Sequence, residues 1–139
     1  MIQILDCTLR DGGYINDWRF GRSVIRGTLQ RLEEAHIDII ECGFLTGMVH
    51  DDACSLFHSP EAIEPLLPAG ERRARSAARS AMGEKELHPS ALPVCSGKGI
   101  TGIRLTFHQS EIDQAIAWAR LIQEKGYLVF MQPVGTVLY

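Results

Sequence analysis

The sequence carries no strong excess of charge, no long apolar run and few aromatic residues. Its 139 residues include 14 basic and 17 acidic side chains, which gives a formal net charge of −3. This mild acidity argues against a general nucleic-acid or membrane-surface protein, because either would need a strong basic excess. No run approaches the ~18 apolar residues that a membrane-spanning helix needs. Hydrophobic residues still make up 45% of the chain, which is enough to fill the core of one domain.

Cysteines with metal or redox spacing are also missing. The four cysteines (Cys7, Cys42, Cys54 and Cys95) form no C-x-x-C pair and no zinc spacing. Free thiols are usual in a reducing compartment, and the chain leads into a folded segment without a signal peptide. We therefore expect a cytoplasmic protein with neither nucleic acid nor membrane among its partners.

Apolar periodicity predicts strands that alternate with helices. Short apolar runs ending at glycine, proline or a polar residue predict strands over 2–9, 37–42, 102–108 and 127–132. Apolar residues at helical spacing predict a helix over 22–35 and another that is capped by Ser110 and Asp113 and ends before Gly126. Three prolines between 44 and 70 predict a long loop with a short helix around 60–67.

One basic segment does not fit this alternation. Residues 72–82 carry four arginines among alanine and serine, at the place where a third strand is due: Arg72, Arg73, Arg75 and Arg79. The composition favours a solvated helix face. A local nucleic-acid patch has little support, because no aromatic residues are interleaved and the rest of the chain is acidic.

The alternation of strands and helices predicts a parallel sheet, built either as a (β/α)8 barrel or as an open doubly wound sheet. An open sheet covered by helices on both faces would have strands that are apolar on both sides. Between 102 and 108, however, Ile103, Leu105 and Phe107 alternate with Arg104, Thr106 and His108. Polar residues gathered at the carboxyl ends of parallel strands are what a barrel active site requires, so the barrel is favoured.

The segment Asp6-Cys7-Thr8-Leu9-Arg10-Asp11-Gly12-Gly13-Tyr14 resembles the first strand of the DRE-TIM metallolyases. This superfamily includes 4-hydroxy-2-oxovalerate aldolase, 3-hydroxy-3-methylglutaryl-CoA (HMG-CoA) lyase and 2-isopropylmalate synthase. Residues 40–44 (IECGF) and 103–111 (IRLTFHQSE) are similar to the family's second and fourth strands. The resemblance implies a TIM barrel that cleaves or forms a C–C bond through the enolate of a 2-oxo acid or acyl-CoA, with a divalent metal.

The same resemblance implies roles for particular residues. Asp11 would be a ligand of Mg²⁺ or Mn²⁺, and Arg10 would stabilise the enolate oxygen. Glu41, at the mouth of its strand, would hold a water or orient Arg10. Tyr14 stands where some relatives carry a histidine base, and His108 is a candidate acid or base.

Further polar residues complete the candidate site, and each has a structural alternative. Arg104 and Gln132 are candidate substrate-binding residues. Arg10 and Asp11 could instead be a surface ion pair, Glu41 could be paired with Arg10 or Arg104, and His108 could be a satisfied turn histidine. If the barrel interpretation is right, five side chains meet at one rim of the sheet: Arg10, Asp11, Glu41, His108 and Gln132.

The family's metal site needs two more ligands from an H-x-H pair on the seventh strand, and this sequence contains no H-x-H. A full barrel takes about 250 residues. We therefore expect residues 1–139 to be the N-terminal portion of a barrel, about its first five strands, and inactive alone. Exposed edges and an uncovered interior predict a homo-oligomer or a complementary C-terminal half as partner.

Two other functions stay open. One is a non-catalytic half-barrel that keeps the fold and binds a partner. The other is an open, flavodoxin-like sheet that binds a phosphorylated ligand; it has less support, because the sequence contains neither G-x-G-x-x-G nor a P-loop.

Overall fold

The computed structural model describes residues 2–47, 51–81 and 87–138. The strands are β1 (Leu5–Asp6), β2 (Ile39–Leu45), β3 (Leu56–Phe57), β4 (Arg75–Ala81), β5 (Gly102–Phe107) and β6 (Leu128–Pro133). The helices are α1 (Thr8–Asp11), α2 (Gly13–Asn16), α3 (Arg22–Glu34) and α4 (Ile112–Glu124). Single 3₁₀ turns lie at Pro60–Ala62, Glu64–Leu66, Pro89–Ala91, Gln109–Glu111 and Thr136–Leu138.

Five strands form a curled parallel sheet in the order β1-β2-β4-β5-β6. The short β3 and β1 pair with the same side of β2, opposite β4. Strand β1 pairs with the first two residues of β2, and β3 pairs with its last two. Apart from the short β3, strands that follow one another in the chain are therefore neighbours in the sheet. An open doubly wound sheet would reverse its strand order at a switch point, whereas a barrel keeps it. The predicted partial TIM barrel is confirmed as a half-barrel.

The face of the sheet that meets α3 and α4 forms the apolar core. Its buried side chains include Ile40, Cys42, Ile103 and Leu105 from the strands, Ile25 and Leu29 from α3, and Ala115, Trp118 and Ile122 from α4. Burying one leucine or isoleucine contributes about 1.5–3 kcal/mol. The helices predicted over 22–35 and after Ser110 are confirmed, because their apolar stripes cover this face. Within the described ranges, no helix has the length and apolar character needed to cross a membrane.

The first motif leaves its strand earlier than the sequence predicts. A strand was predicted over 2–9, but β1 ends at Asp6 and Thr8–Asp11 form one helical turn. The Asp6 carboxylate accepts hydrogen bonds from the amide and the hydroxyl of Thr8, both at 3.0 Å, and these bonds turn the chain. Arg10 and Asp11 therefore project from a turn at the carboxyl end of β1.

The basic segment forms the third strand of the half-barrel, so the predicted helix face is wrong. Strand β4 pairs with β2 on one side and β5 on the other, with Glu41, Ala77 and Gly102 in one row. Alanine and arginine favour helices in isolation, but two flanking strands supply the backbone partners here and override that preference. Small side chains suit the place, since Ser76 and Ala77 are buried. Met82 lies outside the described residues.

Two local predictions also need correction. Ser110 does not cap α4; it lies in the turn Gln109–Glu111, where the capping box joins His108 and Glu111. The short helix predicted around 60–67 consists of two 3₁₀ turns, and the preceding loop contains β3. Gly126 does end α4 as predicted, with a φ of +87° that favours glycine.

Candidate active site

Glu41 lies at the centre of the inner face, the side of the sheet turned away from α3 and α4. Its side chain is fully buried and accepts hydrogen bonds from two arginines. Arg104 donates from Nε to Oε1 at 3.0 Å and from Nη2 to Oε2 at 2.5 Å. Arg10 donates from Nε to Oε2 at 3.2 Å. Both pairings that the sequence left open for Glu41 are therefore present together.

The sequence predicts Glu41 at the mouth of its strand, and this prediction is wrong. Strand β2 does not stop at Gly43 but continues to Leu45, so Glu41 lies near the middle of the strand. Gly43 lies within the strand and has a φ of +151°. A methyl group on its Cα would lie 2.2 Å from the Ser55 carbonyl oxygen. Glycine at this position leaves room for the Ser55 backbone, which leads into the parallel strand β3 beside β2.

The buried part of this cluster carries more positive charge than negative charge. Glu41, Arg10 and Arg104 sum to one net positive charge, and the exposed Asp11 that contacts Arg10 brings the whole cluster to neutrality. The side chains of the two arginines are only 6% and 12% exposed. A charge that is taken out of water costs several kcal/mol unless it is paired and hydrogen-bonded. Each guanidinium has five N–H donors, and the Glu41 carboxylate uses only some of them. The inner face therefore has donors left for an incoming oxyanion.

Asp11 is the solvent-facing member of the cluster. Its carboxylate contacts Nη1 of Arg10, and 56% of its side chain is exposed. The Cys7 thiol donates to Asp11 Oδ2 at 3.4 Å. Burial and this hydrogen bond raise the pKa of Cys7, so that thiol favours its protonated form. Asp11 can therefore meet a ligand from solvent, while Arg10 connects it to the buried Glu41.

Trp18 supports the turn that carries Arg10. Its Nε1 donates to the Arg10 carbonyl at 2.8 Å. Its ring lies against Gly13 so closely that a methyl group on Gly13 would be 2.0 Å from Cδ1. Tyr14 packs edge-on against this ring at 4.9 Å between centroids and is 62% exposed. Position 13 therefore needs glycine, because a larger residue would displace the Trp18 ring that stabilises the Arg10 turn.

Ser55 fastens the same turn from a distant part of the chain. It is fully buried, and its Oγ donates to the Leu9 carbonyl at 2.7 Å. The Phe44 amide in turn donates to the Ser55 carbonyl at 2.9 Å, so the segment is fixed against β2. Sequence reasoning missed Ser55, because nothing within its loop distinguishes it from an ordinary loop serine.

The other candidate residues lie at the same edge of the sheet without joining the cluster. His108 follows β5, is exposed and forms the capping box with Glu111, whose carboxylate accepts from the His108 amide at 2.7 Å. Gln132 pairs in register with Thr106 on β5. Its Oε1 is buried and, among the described residues, has no hydrogen-bond partner. The structure thus brings together Arg10, Asp11, Glu41 and Arg104, and it places His108 in a turn at the same edge, in a capping box with Glu111.

The metal-ligand set is incomplete in the part of the chain that the structure describes. No group of three or more histidine, cysteine, aspartate or glutamate side chains there could hold a metal ion. Asp11 supplies one exposed carboxylate, a hard oxygen donor of the kind that Mg²⁺ or Mn²⁺ prefers. A single carboxylate does not form a divalent-metal site, so the described residues do not fit that group by themselves.

No protein-family model matches the chain, and no curated protein matches its sequence. Among solved structures, the chain is similar to the "N-terminal domain of a putative aldolase" from Bacteroides vulgatus, with a TM-score of 0.71 and 25% sequence identity. The similarity covers 95% of this chain and 44% of that chain. The chain thus spans less than half the length of the protein that it matches, and it shares an aldolase-like half-barrel.

Proposed function

We propose that this half-barrel is the N-terminal half of a metal-dependent aldolase or lyase of the DRE-TIM kind. It would cleave or form a C–C bond through the enolate of a 2-oxo acid or acyl-CoA, as 4-hydroxy-2-oxovalerate aldolase and HMG-CoA lyase do. The observation that carries the proposal is the buried Glu41 held between Arg10 and Arg104 beside the exposed Asp11. The aldolase-like fold of the Bacteroides neighbour supports it.

The arginine pair suits the charge that develops in this reaction. When the C–C bond of a 4-hydroxy-2-oxo acid breaks, a base takes the hydroxyl proton and the bonding electrons move to the enolate oxygen. Donors already fixed where that charge appears stabilise the transition state and need no rearrangement. Glu41 fixes Arg10 for this role, and Arg104 adds the second positive charge that a carboxylate-bearing substrate would contact. Tyr14 and His108 are our candidates for the base.

The proposed activity needs a divalent cation and a second protein segment. Asp11 would contribute one ligand to Mg²⁺ or Mn²⁺, whose Lewis acidity polarises a ketone oxygen. The remaining ligands would come from a complementary C-terminal half, either on the same polypeptide or on a partner. The buried, unpartnered Oε1 of Gln132 is an acceptor that this half or the substrate could satisfy. The four free cysteines agree with our proposal that the protein acts in the cytoplasm.

The outer strands of the half-barrel favour such a partner. Strands β1 and β6 end the described sheet, and exposed apolar residues lie in or beside them: Ile2, Ile4, Leu128 and Met131. Open strand edges and exposed apolar groups are usually covered in a native assembly. The same observation favours the second candidate function, a half-barrel that binds a partner without chemistry.

A complementation assay separates the two functions. The chain is mixed with a C-terminal barrel half carrying H-x-H, and pyruvate release from a 4-hydroxy-2-oxo acid is followed with Mn²⁺ present. Turnover that requires both halves and is lost in Arg10→Lys supports the aldolase. A stable complex without turnover supports the non-catalytic half-barrel, and turnover that Arg10→Lys leaves unchanged would contradict the role given to Arg10.

A further inference from the structure

We propose that the amino-terminal edge of the sheet binds a small phosphate-bearing anion. The site is a groove lined by five basic residues, which we call the basic groove: Arg26, Arg72, Arg73, Arg75 and Lys98. This inference is independent of the proposed aldolase function. It rests on the shape, charge and fixed geometry of the groove.

Two adjoining cavities form the basic groove. One has a volume of about 370 Å³ and is lined by Arg72, Arg73 and Arg75 together with Ser76 and Thr101. The other has a volume of about 650 Å³ and is lined on its polar side by Arg26, Gln30 and Lys98. Gly70 and Arg72 line both cavities, so they form one continuous depression. Its size falls in the range of small-molecule sites.

The cations of the groove lack the acidic partners that other arginines have. Among the described residues, no carboxylate lies within 4.0 Å of the charged groups of these five side chains, whereas Arg10, Arg19, Arg22 and Arg104 are all paired. Among the described residues, two carboxylates, Glu64 and Glu71, line the groove, and Glu33 lies against the Arg73 amide, so the five cations exceed the nearby carboxylates by two. Such an excess of positive charge favours a bound anion. A ligand with several negative oxygens would supply that anion.

Arg72 is already fixed in position for such a ligand. Its Nη2 donates to the carbonyl oxygens of Lys98 at 2.5 Å and Gly99 at 3.3 Å. This holds the guanidinium across the join of the two cavities and leaves Nε and Nη1 available. The fork of N–H donors in an arginine matches the oxygens of a phosphate.

The backbone of the groove is both fixed and open. The Glu33 carboxylate accepts from the amides of Arg73 at 2.5 Å and Ala74 at 3.2 Å, which anchors the loop before β4. Gly70 and Gly97 have φ values of +89° and +72°, and no atom lies within 4 Å of where a Cβ would be. Walls of this kind let a ligand approach the backbone closely.

The groove lies at the opposite edge of the sheet from the candidate active site. Arg75 begins β4 and Thr101 directly precedes β5, whereas Asp11 and His108 follow the carboxyl ends of their strands. An anion bound in the groove would therefore not be the molecule whose C–C bond reacts. It would act as an effector or as a stabilising ligand.

Calorimetric titration with inorganic pyrophosphate tests the proposal on the 139-residue chain. We expect saturable binding to one site, and we expect Arg72→Gln and Arg75→Gln to weaken it at least about tenfold each, because each removes charge-assisted hydrogen bonds. The matched controls are Arg31→Gln and Arg120→Gln. These remove the same charge from exposed positions on α3 and α4, outside the groove, and should leave the affinity within about twofold of the parent.

Three results would overturn the proposal. The first is the absence of saturable pyrophosphate binding to the parent chain. The second is an equal loss in all four variants, which would mean general electrostatic attraction. The third is a labelled single-stranded oligonucleotide that binds more tightly than pyrophosphate. No hydrogen bond or ion pair of the Arg75 side chain appears among the described residues, whereas Arg72 donates to the Lys98 carbonyl. Arg75→Gln should therefore fold, and it tests the proposal even if Arg72→Gln fails to fold.

Discussion

Arg104 holds both oxygens of Glu41, whereas Arg10 holds one of them. The Arg104 contacts are 3.0 and 2.5 Å and the Arg10 contact is 3.2 Å, so Arg104 is the main anchor of the carboxylate. Arg10 keeps its other contact with the exposed Asp11. Glu41 is thus secured from strand β5, and Arg10 links it to the exposed Asp11.

Replacing Glu41 with glutamine should destabilise the fold strongly. Arg104 would lose its counter-charge and Arg10 would keep only the exposed Asp11, and breaking a buried pair in this way costs about 3–5 kcal/mol. The free energy of unfolding in urea, followed by circular dichroism, measures this loss. The matched control is Glu34→Gln, an exposed carboxylate on α3 that accepts from Gln30 at 2.9 Å, and it should stay within about 0.5 kcal/mol of the parent. A loss below about 1 kcal/mol for Glu41→Gln would contradict the importance of the cluster.

Replacing Gly13 with alanine should displace Trp18. The added methyl group would lie 2.0 Å from Cδ1, so the indole must move and give up its hydrogen bond to the Arg10 carbonyl. We expect a loss of about 1–3 kcal/mol and a shift in tryptophan fluorescence. Gly27→Ala is the control, because Gly27 lies in α3 with nothing within 4 Å of its Cβ position. That variant should gain about 0.5–1 kcal/mol. Equal behaviour of the two variants would remove the role given to Trp18.

The stability of the protein should fall as the pH rises above 9. Burial, and then the charge of Glu41, raise the pKa of the Cys42 thiol from 9.0 to about 12. The fold therefore favours the protonated thiol, and its contribution is complete below pH 9 and lost as the pH rises towards 12. Between pH 9 and 10 the slope should approach about 1.4 kcal/mol per pH unit.

Comparison with Cys42→Ala isolates this effect. The variant loses packing at every pH, but it should lack the Cys42 share of the slope. Burial also raises the pKa values of Cys7, Cys54 and Tyr127, the last from 10.0 to about 12, so these groups add to the slope in the parent and in the variant alike. A slope between pH 9 and 10 that is the same in the parent and in Cys42→Ala would contradict the assignment.

The isolated chain should bind Mn²⁺ weakly and should not release pyruvate from 4-hydroxy-2-oxo acids. Asp11 is a single ligand, and each missing ligand must be replaced by water. Calorimetry should show a dissociation constant in the millimolar range or weaker, with little change in Asp11→Asn. Micromolar binding together with turnover, both abolished in Asp11→Asn, would show that further ligands come from other residues of the chain or from a second subunit.

Much of the sheet could be predicted because its strands carry their own signal. The alternation at 102–108 and the apolar runs around Ile39 and Val129 each identify a strand without reference to its neighbours. Strand β4 has no such signal: Arg75 and the alanines that follow it form a strand because β2 and β5 lie on both sides. The strand conformation of β4 is therefore determined by its neighbours in the sheet and not by its own sequence.

The candidate site divides in the same way. Arg10, Asp11 and Glu41 stand in motifs that can be recognised locally, and both arginine partners of Glu41 were foreseen as alternatives. Ser55 was not foreseen, because its bond to Leu9 spans 46 residues of sequence. The capping box of His108 with Glu111 is hidden in the sequence, because Ser110 and Asp113 have the spacing of a cap one residue pair further along.

The bonds of Glu41 also constrain the order in which the chain can fold during synthesis. Arg10 precedes Glu41 by 31 residues, so this pair can form early, whereas Arg104 follows Glu41 by 63 residues. Until β5 leaves the ribosome, the Glu41 carboxylate lacks its two hydrogen bonds from Arg104, and strand β2 stays partly exposed to solvent. The nascent first strands should therefore remain open to chaperones and proteases until Arg104 is made, at which point one ionic contact joins the beginning of the domain to its later part.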